Sequence, residues 1–273
     1  MHIHFLDPYR LLPSPVHALD GRVKFILAVA FILTVSLTPY GAWPVYLLLL
    51  SLVLSVEVLS GLGVGYVLRR ASLALPFALA AFPLLFTTPG TALLNLPVGP
   101  WILTATTEGV LRFGNVAVKS WLSVQAAIVL AASTPFPELL LAMRAVHIPR
   151  LLVAMFGLMW RYLFVLADEA LRLIRARAAR SGKARRQEIL DGRLRPGGTV
   201  AWRARVAGGM AGSLFLRAID RSDRIYAAML SRGYDGEVRS FALPPVPAAA
   251  RVALGMGLAV LALLWFSGWL VWG

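Results

Sequence analysis

Two arginines in this chain occupy near-matching settings, Ala179-Arg180-Ser181 and Ser231-Arg232-Gly233, each at the end of a long helical pattern. Small residues on both sides of an arginine let a partner's surface come close to the helix end. The guanidinium, always charged, can then fork onto a carboxylate with two parallel hydrogen bonds. Small–Arg–small occurring twice is a weak internal repeat, and it suits a partner that offers two equivalent sockets. The plainer alternative is that both arginines help hold a basic face near anionic lipid.

Other chemistry is missing from the sequence. A nucleotide-hydrolysing chain would carry Gly-x-x-x-x-Gly-Lys-Ser/Thr, but Gly182-Lys183 is followed by Ala184 and has no glycine five positions earlier. There is no His-Glu-x-x-His for a zinc hydrolase and no Gly-x-Ser-x-Gly nucleophile elbow. With no cysteine, disulfides and thiolate metal sites are excluded. The start, Met1-His2-Ile3-His4, could hold a divalent metal through its amino group and imidazoles. However, no two of the four histidines stand at helical ligand spacing with a carboxylate beside them. The expectation is no catalytic residue, no metal site and no cofactor, with any energy source on another chain.

The elements that must carry the arginines are set by composition. Of 273 residues, 59% are hydrophobic and 15% charged, and mean hydropathy is +0.73, where a soluble domain carries roughly 45–50% and about 25%. The excess belongs in lipid. At about 20 apolar residues per crossing, five spans are expected, near 22–37, 43–59, 72–88, 113–133 and 248–272, with Pro76 and Pro83 kinking the third. No cleavable leader is expected before the first. Basic and bare loops alternate, which places the N-terminus in the cytoplasm and the C-terminus outside, with Trp265, Trp269 and Trp272 as the outer aromatic belt. Of the charged and amide side chains inside the spans, Lys24 and Lys119 are expected to snorkel. Glu57 is expected to reach headgroups or pair with Arg69 or Arg70, and Asn115 and Gln125 to bond across to neighbouring helices.

Nineteen of the 27 basic residues fall between Thr134 and Ala248 against nine acidic ones, leaving this insert +10 of the chain's +14. Its first pattern, from Pro149, is apolar in its first half and basic in its second, and is expected to lie at the membrane interface. Asp168 and Arg172 are spaced to pair on one face. After breakers at Asp191-Gly192 and Pro196-Gly197-Gly198, a second helix carries the stripe Leu214, Ala218, Ile225 and Met229. In it Asp220 and Arg224 are spaced to pair, and Gly233 is placed for a left-handed cap. Three regions result: a four-span region 1–134, a cytoplasmic coupling-helix insert 135–247, and a final span 248–273. The fold class is an all-α integral membrane protein, with about five spans plus a cytoplasmic pair of long helices. Basic–aromatic interleaving is absent, so nucleic acid is not an expected partner.

Over nearly its whole length the chain resembles the transmembrane T component of energy-coupling factor (ECF) transporters, and among these the CbiQ-type subunit of cobalt importers. SPVHALDGRVKFILA before the first span is similar to the family's start, and RAARSG and AMLSRGYDG are similar to its two x-Arg-x coupling motifs. Ser181 and Ser231 depart from the Ala-Arg-Gly usual at the second motif but remain small. The resemblance implies a non-catalytic scaffold in the bacterial inner membrane. Its partners would be membrane lipid, two ATP-binding-cassette ATPase subunits and a substrate-capture membrane subunit (CbiM-like). Residues 179–181 and 231–233 would enter the ATPase grooves and pass their motion to the capture subunit. Cobalt is the implied cargo, with nickel or a vitamin as alternatives. From other classes, a stand-alone intramembrane enzyme or insertase and a lipid- or RNA-binding membrane anchor remain open on the residues alone.

Overall fold

The computed structural model describes residues 8–74, 76, 79–98, 101–180, 199–236 and 245–272. The chain divides into two compact units, one holding the elements up to His147 together with the C-terminal helix, the other holding the two long helices between them. The first unit is built from α1 (Pro15–Ala18), α2 (Gly21–Leu37), α3 (Trp43–Ser60), α4 (Val64–Ala71), α5 (Leu84–Thr87), the strands β1 (Ala92–Val98) and β2 (Trp101–Thr106), α6 (Thr107–Ser133), α7 (Phe136–Ala145) and α10 (Ala248–Trp272). The second is α8 (Arg150–Arg180) and α9 (Val200–Leu230).

Among the described residues, four helices are long and apolar enough to cross a membrane: α3, α6, α10 and the stretch Arg150–Ala179 of α8. The protein is therefore a multi-pass helical membrane protein. The 17 residues of α2 rise about 25 Å, the low end of what a crossing needs. It packs against α10, α6 and α7. The core of the unit is shared by four helices, with Phe31 and Val35 of α2, Val45, Leu49 and Val53 of α3, Leu122 and Ala126 of α6, and Leu261 and Leu264 of α10. Gly257 lets α10 approach α2, since a Cβ there would stand 2.6 Å from Leu27 Cδ2.

The third expected span is corrected by the structure. Among the described residues, 72–88 holds a 3₁₀ turn at Ser72–Ala74, helical residues at Pro76 and Leu79, a turn over 80–83 and the single-turn α5, not one continuous helix. Pro76 and Pro83 lack the N–H groups a helical ladder needs. Short-range bonds take its place, with Phe82 N–H donating to Leu79 O at 2.9 Å and Leu84 N–H to Ala81 O at 3.0 Å. The segment still travels the bundle. Val67 of α4 clusters with Val129 and Ala132 near the end of α6, whereas α5 crosses the start of α6 at Gly109, where a Cβ would meet Leu85 O at 2.6 Å. Twenty residues of α6 separate those two places, about 30 Å of rise. Beyond α5 the chain forms an antiparallel β1–β2 hairpin, from Ala92 opposite Thr106 to Val98 opposite Trp101. This is a feature the helical reading of the sequence lacks.

Charged and polar groups inside the bundle are used differently from expectation. Neither lysine snorkels. Lys24 of α2, 7% exposed, donates from Nζ to Ser133 O at the end of α6, 2.9 Å away. Lys119 of α6 donates to Ser36 O and Thr38 O at the end of α2, 2.9 and 2.8 Å away. Each of these antiparallel helices thus satisfies the orphan carbonyls and the negative dipole end of the other. Lys119→Met is expected to lower stability by about 1–3 kcal/mol, the cost of unsatisfied partners to a charged donor, measured as a reduced Tm in detergent. An unchanged Tm would remove the capping role.

Asn115 does bond across, accepting from Gly41 N–H at 3.4 Å while its Nδ2 donates to Leu111 O at 2.7 Å. Gln125 and Glu57 are fully buried, and among the described residues neither side chain has a hydrogen-bond partner. Glu57 therefore pairs with neither Arg69 nor Arg70 and does not reach the surface. An unpartnered buried polar group costs about 1–3 kcal/mol, so Glu57→Met is expected to raise the Tm. Transport lost at a retained or raised Tm would instead give Glu57 a functional task.

Candidate functional site

The helices that carry the arginines are built for precision at their ends. The second begins at Val200, where Thr199 caps it: Thr199 Oγ1 accepts from Trp202 N–H at 3.2 Å. At the other end the chain closes a Schellman turn. Tyr234 N–H donates to Met229 O and Gly233 N–H to Leu230 O, both at 3.0 Å. Gly233 takes the left-handed position at φ +80 with open space around it. Ser231, Arg232 and Gly233 are all exposed, and Ser231 Oγ folds back onto Ala228 O at 3.0 Å. Among the described residues no side chain pairs with Arg232, which sits on a turn held by backbone bonds.

Gly233→Val puts a β-branched side chain at positive φ and is expected to cost about 1–2 kcal/mol. The loss should appear as fraying of the last helical turn, read by hydrogen exchange at residues 229–234. Unchanged protection there would mean the turn does not hold the tip.

At the first tip, Ala179 is exposed and Arg180 is the last residue of α8. Ser181 lies outside the described residues, as do the histidines of Met1-His2-Ile3-His4 and the two loop breakers. The helix itself starts as expected after Pro149, whose carbonyl accepts from Leu152 N–H at 2.9 Å.

Sequence spacing misses what binds the two helices to each other. Asp168 makes no bond to Arg172, and Arg224 Nε reaches the carbonyl of Asp220, at 3.2 Å, rather than its carboxylate. The neighbouring acid, Glu169, does the connecting. Its two oxygens accept from Arg217 Nη1 at 3.2 Å and from Arg221 Nη2 at 2.8 Å, one turn apart on α9. One carboxylate thus holds two guanidiniums, with Glu169 mostly buried and Arg217 more than half exposed. A second link places the Arg177 guanidinium 5.4 Å from the ring centroid of Trp202, within cation–π range.

These links fix direction and distance. Going from Glu169 to Arg177 along α8, the contacts on α9 move back from Arg221 to Trp202, so the helices run antiparallel. Arg180 lies eleven residues past Glu169, and Arg232 eleven residues past Arg221. At 1.5 Å per residue each tip stands about 16 Å from the clamp, on opposite sides of it. Both helices are 31 residues long. The second unit therefore carries its two arginine tips on equal arms about one ionic centre.

Comparison with known proteins gives the class, the membrane component of an ECF-type transporter. Residues 13–241 match the model of a family described as CbiQ, cobalt transport protein, and the chain belongs to that family. It is 29% identical to the cobalt transport protein CbiQ of Rhodobacter capsulatus over 191 residues, covering 70% of this chain and 72% of that one. Against the cobalt transport protein CbiQ of Salmonella typhimurium it is 36% identical over 94 residues, 34% of this chain and 42% of that one. The energy-coupling factor transporter transmembrane protein EcfT of Lactococcus lactis is 26% identical over 235 residues, covering 82% and 81%.

Proposed function

We propose that the chain is the non-catalytic scaffold and coupling subunit of an ATP-driven ECF-type importer for cobalt. The equal-armed pair of arginine tips carries this reading. Two ATPase subunits that close and open around ATP present two equivalent grooves, and each groove takes one tip, Ala179-Arg180-Ser181 or Ser231-Arg232-Gly233. A carboxylate in each groove receives the guanidinium as a bidentate pair. Closure then moves both arms at once, because Glu169 ties them together, and the membrane helices reorient a substrate-capture subunit. ATP is hydrolysed on the partner chains. The N-terminus and both tips face the cytoplasm, the C-terminus and its tryptophans the other side of the bacterial inner membrane.

Cobalt is chosen because the family and two of the relatives carry it in their descriptions. Cargo selection itself belongs to the capture subunit.

The test is co-purification in mild detergent with the ATP-binding-cassette pair, wild type against Arg180→Glu/Arg232→Glu. The ATPases are expected to stay with the wild type and to be lost from the variant. Retention by both forms would take the docking role away from the arginines.

A further inference from the structure

A second arginine cluster belongs to the first unit, on the side of the bundle where α2 begins. Arg10 precedes the first helix, yet its guanidinium stacks 3.7 Å from the ring centroid of Tyr66 on α4. Arg70, one turn along α4, places its own guanidinium 4.7 Å from the same centroid. The Arg10 backbone is held there by its N–H donating to Ala132 O at the end of α6, 2.9 Å away. Below the ring, Val67 and Ala71 are completely buried, so α4 turns its apolar side to the bundle and leaves Arg69 and Arg70 exposed.

Two like charges are thus brought to within about 8 Å of each other on one ring. No carboxylate pairs with Arg10, Arg69 or Arg70 among the described residues. A guanidinium lying over an aromatic face keeps its N–H fork free at the edge. Such an arrangement is repulsive unless an anion takes both forks, and a phosphate has the oxygens to do so.

The surroundings choose the source of that phosphate. Glu57 and Ser60 end the preceding span at complete burial, and α4 follows within four residues, so the ring stands where a crossing helix leaves the hydrocarbon. Two residues past Arg10 an open cavity of about 500 Å³ begins, lined largely by Leu12, Pro13, Pro15 and Ala18. Leu12 and Tyr66 both pack on the cluster Leu62, Val67, Val129 and Ala132. An apolar wall beside a phosphate-receiving fork fits an acyl chain beside its headgroup. We infer that Arg10, Arg70 and Tyr66 form a specific site for the phosphate of an anionic phospholipid.

The test uses the delipidated full-length chain, incubated with phosphatidylglycerol or with phosphatidylcholine of the same acyl chains, and counts bound lipid by native mass spectrometry. Wild type is expected to retain one phosphatidylglycerol in preference to phosphatidylcholine. Arg10→Gln/Arg70→Gln is expected to lose affinity by about tenfold or more, the effect of two lost charge-assisted contacts. Arg112→Gln/Arg251→Gln, which removes as much charge elsewhere, is expected to retain the lipid. Should the double variant fold poorly, Arg10→Gln alone carries the test, because Arg10 lies outside the helices. Equal retention by wild type and the Arg10/Arg70 variants would overturn the site. So would equal loss in the control, which would reduce it to net charge. Displacement of the lipid by millimolar inorganic phosphate would overturn the lipid assignment in favour of a free phosphate.

Discussion

Arg180→Glu combined with Arg232→Glu is expected to abolish ATP-driven cobalt uptake while leaving the amount of protein in the membrane unchanged. Breaking a desolvated ion pair by removing one partner costs about 3–5 kcal/mol. Reversing the charge adds repulsion, so each groove loses at least two to three orders of magnitude in occupancy. The protein itself should not suffer. Among the described residues Arg232 has no side-chain partner, and the turn that presents it is held by backbone bonds from Gly233 and Tyr234. Arg180→Lys/Arg232→Lys keeps both charges and removes both forks, so it is expected to fall between wild type and the reversal. Uptake assays in cells lacking the native chain, normalised to membrane protein, separate the three forms. Uptake by the double reversal at the wild-type level would leave the tips without a task.

The second large effect is expected at Glu169, a residue that touches neither tip. Glu169→Arg brings a third guanidinium up to Arg217 and Arg221 and removes the carboxylate that accepts from both. The two arms then lose their common centre. Uptake is expected to fall at least about tenfold, because a device that moves two tips together depends on their fixed spacing more than on either tip alone. The decisive form is the exchange Glu169→Arg/Arg221→Glu. It restores an opposite-charge pair at the same place and is expected to recover much of the loss, which independent effects would not do. Losses that simply add in the exchange would contradict the clamp.

Glu169 also shows where sequence reading gives way to structure. Spacing within one helix favours Asp168 with Arg172, whereas the carboxylate that matters faces a helix about 50 residues further on, a neighbour that one-dimensional periodicity does not contain. Lys24 and Lys119 follow the same logic: each reads as a snorkelling charge until the antiparallel partner brings helix-end carbonyls to it. Continuous apolar runs, by contrast, made α3, α6 and α10 legible from their residues. The interrupted third crossing was half legible, since Pro76 and Pro83 announce a break but do not say where the short helical pieces fall. The hairpin after it escaped because Leu93, Leu94 and Leu96 suit a helix as readily as a strand, and pairing across the turn decides between them. The turn at the second tip was legible, because Gly233 after the apolar stripe marks a left-handed cap that no distant contact needs to complete.

The most direct measurement of the central claim is site-specific photo-crosslinking in the assembled complex, with the crosslinker placed at position 180 in one sample and at position 232 in another. Both positions are expected to capture an ATP-binding-cassette subunit, with peptides from the same groove recovered in each case. Capture of lipid alone, or of the ATPase from one position and not the other, would contradict an equal-armed coupling subunit.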